Sequence, residues 1–390
     1  MAAHPRGGIL RGKRAFESET LAPPAPKGDP TVTLIGTDYT DKFYLRDRRI
    51  EGLVCRARNV APSEELRPYV STTFADLAYD HLVLVHGREL AGLTPRKNGA
   101  LLLELAMSLS DFALPLTNAL GKILRPAYEA ARPTYRALAV RSDFKNFRPH
   151  AVVSVGDFPA PLEVGENARF ETGPMTGTSE TITAATYGRI VSLSRQILVN
   201  DDLRAFAALA EGAAMRAAEF ENATFFNVCI LPNSGLGPTL ADTKTVFHTD
   251  HANVTAGGGL SPTLLGQARS LLRKQVTADG VKLNAAAAVL LVPPDSETKA
   301  EELLQQHAML RPDVPRLVPA SDANLTGTRF YVLADPARSP TFLWGRLEGE
   351  GGPSVEARLS WEVDGLEVRV RLDFGCGAID YRGAVTGAGV

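Results

Sequence analysis

The longest helical pattern in the chain begins at Asn200-Asp201-Asp202 and continues without proline for about 25 residues. These three polar residues supply an N-cap and negative charge at the positive end of the helix dipole. Alanine dominates the sequence DLRAFAALAEGAAMRAAEFENATFF, and its small side chain lets other elements approach closely. The pattern therefore predicts a long central helix that is packed on several sides.

Shorter helices are predicted where apolar residues recur at helical spacing, in 71–85, 261–276 and 295–308. The apolar block 100–131 contains Pro115 and Pro126 and cannot be one straight helix, because proline breaks a helix interior. Residues 32–59 carry a short, mixed pattern of apolar and charged residues, which we interpret as one or two strands.

Strands are predicted mainly in the second half of the chain, at 286–292, near 330–334 and near 342–346. Alternating residues on both sides of Val363-Asp364-Gly365 predict an antiparallel hairpin, since Asp-Gly is a strong turn signal. Helices and strands alternate between 260 and 350, as in an α/β module with helices against a sheet. The chain as a whole is predicted to be α+β.

Two segments have too few apolar residues to build a core. Residues 151–187 are rich in Thr, Val, Gly and Pro and are interpreted as an extended hairpin that projects from the body. Residues 1–30 are predicted to be an arm or linker, because the proline-rich LAPPAPKGDP follows four basic residues, Arg6, Arg11, Lys13 and Arg14. Neither segment is expected to be stable without a partner.

Charge and composition exclude several classes of protein. The 42 Lys and Arg residues against 44 Asp and Glu leave a formal net charge of −2, so no overall positive field favours nucleic acid. The longest apolar run, 285–294, is about half of the ~20 residues that a membrane helix needs, and the N-terminus lacks the apolar stretch of a signal peptide. We expect no membrane contact and a protein made and kept in cytoplasm.

Metal and redox chemistry find little support in the sequence. The cysteines are odd in number, far apart in sequence and without a CxxC pair, so we expect all three to be reduced: Cys55, Cys229 and Cys376. His248, Asp250 and His251 could ligate a metal, but no second ligand cluster accompanies them. A hydrogen-bond cluster that orders their loop is the favoured interpretation.

Catalytic and cofactor motifs are equally weak. Asp201 and Asp202 could act as paired acid and base, yet adjacent residues point apart on a helix and Asp is a preferred cap. The three glycines at 257–259 precede a helix and could hold phosphate, but no Lys-Ser/Thr follows them. We predict no catalytic residue, no cofactor, no metal and no enzyme activity.

Six short segments, taken in order, resemble one known family. They are LSDF (109–112), RSDFK (141–145), TYGRIVSLSRQILVNDDLRAF (186–206), FHTDHANV (247–254), VLLVPP (289–294) and VRLDFGCGAIDYRG (370–383). They run through about 65–390 and are similar to the major capsid proteins of tailed bacteriophages, in particular the Mu-type major head subunit group and the capsid part of prohead-protease and major-capsid fusion proteins. Residues 1–60 resemble nothing in this family, and no protease motif precedes the capsid part.

The resemblance implies the tailed-phage major capsid fold, in which an arm, an extended β-hairpin loop, a peripheral domain with a spine helix and an axial α/β domain follow one another. The implied boundaries are 1–150 for the N-terminal arm and helices, 151–190 for the extended loop, 191–259 for the peripheral domain with the spine helix, 260–350 for the axial domain and 351–390 for the returning peripheral strands.

The resemblance also implies a function, which is self-assembly into the icosahedral shell around double-stranded DNA of a phage or phage-like particle. The implied partners are further copies as hexamers and pentamers, portal and scaffold or protease proteins, a decoration protein where one is present, and packaged DNA bound without sequence specificity. The implied location is the virion capsid, after assembly in the host cytoplasm. A gene-transfer-agent capsid and an encapsulin-type shell are alternatives, and a soluble α/β enzyme is a distant one.

Contacts between subunits are expected at the loop, where an arginine-rich neighbouring surface would meet Asp157, Glu163, Glu166, Arg169 and Glu171. DNA is expected to contact the arm through Arg6, Arg11, Lys13 and Arg14. Some capsids of this fold join subunits by an isopeptide bond between a loop lysine and an asparagine. No lysine lies between Lys145 and Lys244 here, so a non-covalent shell is expected.

Overall fold

A computed structural model of the chain describes residues 42–86, 92–153, 179–277, 280–310, 317–360, 364–387 and 389. The chain divides into a short unit, residues 1–45, of which only the start of a helix is described, and a compact unit, Arg46–Val390. The α-helices in the described residues are α1 Lys42–Ala57, α2 Phe74–His86, α3 Pro95–Met107, α4 Ala113–Ala130, α5 Arg195–Val199, α6 Leu203–Phe225, α7 Pro232–Gly235, α8 Pro262–Lys274 and α9 Glu297–Leu310.

The strands in the described residues are β1 Val140–Arg141, β2 His150–Val153, β3 Ser179–Ile182, β4 Ala185–Ser194, β5 Ala287–Val292, β6 Val318–Ser321, β7 Tyr331–Ala334, β8 Phe342–Gly345, β9 Ser354–Ser360, β10 Gly365–Ala378 and β11 Ala384–Thr386. The larger sheet has the order β1-β8-β10-β4, and β9 also pairs with β10. The smaller sheet has the order β11-β7-β5-β6, and β2 pairs with β3 alone. The chain is therefore a mixed α+β protein.

Strand β10 is the centre of the larger sheet. Its first part is antiparallel to β4 and β9, and its last four residues are antiparallel to β8. Alternate residues of its first part face the body and are buried, as in Leu366 and Val368, whereas Arg369 between β4 and β9 is exposed. This antiparallel pair of β9 and β10 confirms the hairpin that the Asp-Gly turn predicts.

The smaller sheet is covered on both faces. Leu290 and Val292 of β5 belong to an apolar core with α8 and α9, whereas the alternate residues Val289 and Leu291 belong to the core that contains the end of α6. Helix α8 begins at a Ser261 cap, whose hydroxyl accepts a hydrogen bond from the Leu264 amide at 3.3 Å. The alternation of helix and strand predicted between 260 and 350 is confirmed.

The prediction of strands between 32 and 59 is wrong where the structure describes the chain, because residues 42–57 form helix α1. Three apolar residues at spacings of three and four lie on its buried face, Ile50, Leu53 and Val54. Charged residues surround these apolar positions, so the helical period is hard to distinguish from a strand pattern in the sequence. In the block 100–131 the helices separate at Ser108, before Pro115, while Pro126 lies inside α4.

Gly345 ends strand β8 at a close backbone contact. A Cβ atom at this position would lie 1.9 Å from the Ser142 carbonyl oxygen. We expect Gly345→Ala to destabilise the fold by about 2–3 kcal/mol, because the neighbouring backbone must move. The matched control is Gly212→Ala in α6, where the added Cβ meets nothing within 4 Å, and it should stabilise the helix by about 0.5–1 kcal/mol. Chemical denaturation of both variants tests the opposite signs.

Asp80 gives the fold a pH-dependent stability. It lies on α2, pairs with Arg49 of α1 at 2.7 Å, and its Oδ2 atom lacks a hydrogen-bond partner among the described residues. Burial raises the pKa of Asp80 to about 6; the charge of Arg49 opposes this rise, and that of Asp76 adds to it. Because the folded pKa lies above the unfolded one, ionisation weakens the fold: the penalty is absent below about pH 4 and complete above about pH 6.

Asp80→Asn should therefore be more stable than the parent chain at pH 7.5 by about 2–3 kcal/mol, because the raised pKa of Asp80 already includes the opposing attraction of Arg49. It should unfold at a correspondingly higher denaturant concentration. The difference should vanish near pH 4. Asp47→Asn on the exposed side of α1 is the control, and it should change stability little at either pH. Equal pH profiles for Asp80→Asn and the parent would refute the buried-carboxylate explanation.

Candidate functional site

Helix α6 runs through two of the apolar cores and presents one buried stripe to them. Phe206, Ala210, Ala214 and Ala218 pack in the core formed with α4 and the start of β10, and Phe225 lies in the next core. The small residues let α4 approach α6 closely, as the alanine-rich sequence predicts. The 23-residue helix confirms the predicted central helix.

A glutamate interrupts this apolar stripe. Glu221 is on the same face as Ala214, Ala218 and Phe225, and its side chain is fully buried. Tyr128 of α4 donates its hydroxyl to Glu221 at 2.5 Å from Oε1 and 2.6 Å from Oε2. Tyr135, in a 3-10 turn at Thr134–Ala137, donates to Oε2 at 2.8 Å. The carboxylate thus accepts hydrogen bonds from two tyrosine hydroxyls in addition to its contacts with arginine.

Two arginines complete this group, which we name the Glu221 cluster: Glu221, Tyr128, Tyr135, Arg136 and Arg346. Arg346 follows β8, is almost fully buried, and places Nη2 at 3.1 Å from Glu221 Oε1. Its Nη1 donates to the Gly351 carbonyl at 3.1 Å, and its guanidinium lies 5.0 Å from the centre of the Tyr128 ring. Arg136 is 3.7 Å from the same carboxylate.

Burial, together with the negative charge of Glu221, raises the pKa of Tyr128 and Tyr135 well above the ordinary value for a phenol. Both hydroxyls therefore stay protonated and act as donors at every physiological pH. The arrangement fixes positions rather than moving protons, since it joins α4, α6 and the end of β8. One feature of the sequence indicates this cluster, a charged residue on an otherwise apolar helical stripe, and the predictions above did not include it.

Strand β4 forms an open edge of the larger sheet. It pairs with β10 on one side, and no strand of the described chain pairs with its other side. Ile190 and Val191 are adjacent and point to opposite faces, yet they are 51% and 45% exposed. A long unpaired edge with exposed apolar residues is suited to pairing with another chain.

The face of the sheet that carries Ile190 is a ladder of paired charges. Arg369 of β10 pairs with Glu356 of β9, and the next rung joins Arg358 and Glu367 at 2.7 Å. Salt bridges on an exposed face contribute little to stability, each about 0–1 kcal/mol.

The loop with His248, Asp250 and His251 is ordered by hydrogen bonds, as predicted. His251 is buried, its Nε2 lies 2.7 Å from Asp242 Oδ2, and its ring stacks on Tyr381 with centres 3.8 Å apart. Asp250 pairs with Lys244 at 2.7 Å. Within the described residues no three His, Cys, Asp or Glu side chains are grouped to hold a metal ion.

Asp201 and Asp202 cap two different helices. Asp202 accepts a hydrogen bond from the Ala205 amide at 3.1 Å and caps α6, which confirms the predicted cap. Asp201 turns away, accepts from the Phe74 amide at 3.1 Å at the start of α2, and pairs with Arg56. The two carboxylates thus serve separate helices and do not form an acid and base pair.

The predicted contact residues of the loop and the arm lie outside the described residues. They are Asp157, Glu163, Glu166, Arg169 and Glu171 in the loop, and Arg6, Arg11, Lys13 and Arg14 in the arm. The structure describes the two strands that flank the loop, β2 and β3, which pair in register from His150 with Ile182 to Val153 with Ser179. No helix of the described chain is long and apolar enough to cross a membrane.

Comparison with solved structures finds distant similarity to several chains. A chain of Microbacterium phage Oxtober96 is 11% identical, with a TM-score of 0.44 over 65% of this chain and 89% of that one. The capsid of Myoviridae phage XM1 is 14% identical, with a TM-score of 0.38 over 66% of this chain and 91% of that one. A chain of an encapsulin complex from Synechococcus elongatus is 11% identical, with a TM-score of 0.41 over 66% of this chain and 88% of that one. No curated protein sequence matches this chain.

A family model carries the assignment. The model described as phage capsid protein matches residues 177–387, which is more than half of the chain. The matched region contains β4, α6, the smaller sheet and β10, and so includes the Glu221 carboxylate and the open strand edge. The chain belongs to the phage capsid protein family, whose members are structural proteins of the shell and not enzymes.

Proposed function

We propose that this chain is the major capsid protein of its particle and closes an icosahedral shell around double-stranded DNA as hexamers and pentamers of one subunit. The observation that carries the proposal is the open β4 edge beside the base of the loop, in a chain of this family. A ring of identical subunits needs two different complementary surfaces on each copy. An unpaired strand edge, together with the loop predicted at 151–190, would supply surfaces of this kind. Within the family, the Mu-type major head subunit group stays a prediction.

In this proposal, 191–259 and 351–390 form the peripheral domain, 260–350 the axial domain, 151–190 the extended loop and 1–150 the arm with its helices. The packing supports the centre of each domain but not the boundaries at 350 and 351. Helix α6 and strand β10 share two cores, and α8 and α9 enclose a third core against the smaller sheet. Strand β8 of 260–350 pairs with β10 in the larger sheet, and β11 of 351–390 pairs with β7 in the smaller sheet.

The loop residues Asp157, Glu163, Glu166, Arg169 and Glu171 are proposed to contact an arginine-rich surface of a neighbouring subunit. The basic arm residues are proposed to contact packaged DNA through phosphates alone. Portal and scaffold or protease proteins, and a decoration protein where one is present, are the further proposed partners. Assembly is proposed to take place in the host cytoplasm.

The test removes the loop and keeps its base. Residues 156–176 are replaced by a short Gly-Ser linker, so that β2 and β3 can still pair. We expect the circular dichroism spectrum and thermal unfolding of the body to remain, while size-exclusion chromatography shows no shell-sized species. Electron micrographs of the unaltered chain should show closed particles. Normal particles from the deletion variant would contradict the proposed role of the loop, and particles filled with a protein instead of DNA would favour an encapsulin-type shell.

A non-covalent shell is a further expected result. Because no lysine lies between Lys145 and Lys244, the loop has no amine to form an isopeptide bond, and the arginine guanidinium is no substitute for it. Reducing denaturing gel electrophoresis of mature particles should give one band near 41.8 kDa, or slightly below after trimming. A ladder of covalent pentamers and hexamers would contradict this expectation.

A further inference from the structure

Two of the three cysteines meet inside the fold, although 147 positions separate them in the sequence. Cys229 lies in the π-helical turn Phe226–Ile230 that continues α6, and it is fully buried. Cys376 lies near the end of β10 and is partly exposed. Both belong to the same apolar core. Two cysteines that are far apart in the sequence therefore lie in one core of the fold.

The directions of the two side chains bring the thiols together. Leu372, Phe374 and Cys376 alternate along β10, so they share the face that packs on the π-helical turn. Strand β10 contacts the π-helical turn, and the Cys376 thiol contributes to the raised pKa of the Cys229 thiol, so the two thiols are neighbours in this core. Cys55 lies on α1, whose buried face packs in a different core.

We propose that Cys229 and Cys376 form a disulfide bond within one subunit when the protein meets an oxidising medium. The oxidant is a small disulfide. The Cys376 thiolate attacks one of its sulfurs and releases one small thiol. Cys229 then loses its proton and attacks the Cys376 sulfur of the mixed disulfide, which releases the second small thiol. Two protein thiols are oxidised, and one small disulfide is reduced to two thiols.

The surroundings of each sulfur set the order of the two steps. Cys376 is the more accessible thiol and reacts first. Burial raises the pKa of Cys229 well above that of a free thiol, so Cys229 is protonated and slow to attack. The pair is thus stable as two thiols in a reducing cytoplasm and closes over a longer time outside it. A phage shell passes from the first medium to the second when it leaves its host.

The bond would join the end of the long helix to the central strand of the larger sheet. Closing a loop of this length restricts the unfolded chain strongly, so the oxidised subunit should unfold at a temperature several degrees higher. The reduced and oxidised forms should otherwise have the same fold, because both side chains already lie in the core where β10 packs on the π-helical turn.

The experiment uses the full chain with excess oxidised glutathione at pH 8. After free thiols are blocked with iodoacetamide, mass mapping of peptides without reduction should find the peptide of Cys229 linked to that of Cys376, with the loss of two hydrogens. Free thiols should fall from three to one, and dithiothreitol should restore all three. The thermal midpoint should rise on oxidation and fall again on reduction.

Cys55→Ser should form the same linked peptide, whereas Cys376→Ser should form none. Oxidation of the chain in denaturant should give mixed pairings, which shows that the native fold selects the pair. The proposal would be overturned if the folded parent chain gave only glutathione adducts, or if its linked peptides included Cys55. Both outcomes are read from the parent chain, so they do not depend on how well a variant folds.

Discussion

Glu221→Ala is expected to destabilise the protein by about 3–5 kcal/mol, a large part of the 5–15 kcal/mol that holds a typical domain together. The carboxylate is the acceptor for both phenols and the partner of the buried Arg346. Its removal leaves a buried guanidinium without a counter-charge and two buried hydroxyls without their acceptor. We expect largely insoluble protein, or a denaturation midpoint far below that of the parent.

Two variants isolate the cause. Glu219→Ala changes an exposed carboxylate on the same helix, which pairs with Arg216 at 2.7 Å, and should alter stability by less than about 0.5 kcal/mol. Glu221→Gln keeps the shape and one oxygen acceptor but removes the charge, so its cost should lie between the two. If Glu221→Ala unfolded at the same denaturant concentration as Glu219→Ala, the cluster would have no structural role.

Ala214→Asp should lower the stability of the protein by a similar amount through a different mechanism, the burial of a charge in an apolar core. Ala214 is completely buried on the stripe of α6 that packs in the core with α4. An aspartate there places a charge among apolar neighbours and forces the helices apart, which costs several kcal/mol. The expected result is protein in the insoluble fraction, with neither capsomers nor shells on a sizing column.

Ala208→Asp is the matched control, because the same substitution is made on the exposed side of the same helix. It should give soluble protein with a stability close to that of the parent. A soluble and fully stable Ala214→Asp would show that the described packing of α6 against α4 is wrong.

The parts of the fold that the sequence predicts well are those with local signals. Helix α6 has an aspartate cap and no proline, α8 has its Ser261 cap, and the hairpin of β9 and β10 has the Asp-Gly turn. Each signal lies within a few residues of the element that it specifies, so the pattern alone is sufficient.

Helix α1 could not be predicted in this way. Its three buried residues stand among charged ones, and the helical period becomes clear only when the core that receives Ile50 and Leu53 is known. A short segment with few apolar residues fits a strand or a helix about equally well. Tertiary packing decides between them.

The Glu221 cluster shows the same limit for a site. Its hydrogen bonds join residues that are 86, 93 and 125 positions apart. The sequence displays an unusual glutamate on the spine helix, but the two tyrosines and the arginine that satisfy it come from separate parts of the chain. The contacts proposed for the loop and the arm remain predictions.

Strand β10 has a consequence for how the molecule opens. It contributes Leu366 and Val368 to one core and Leu372 and Phe374 to the next, and its first part is hydrogen-bonded on both sides. Neither core can open without breaking pairs along this strand. Its amide hydrogens should therefore exchange with solvent only through global unfolding, which makes β10 the slowest-exchanging segment of the subunit and the two cores a single cooperative unit.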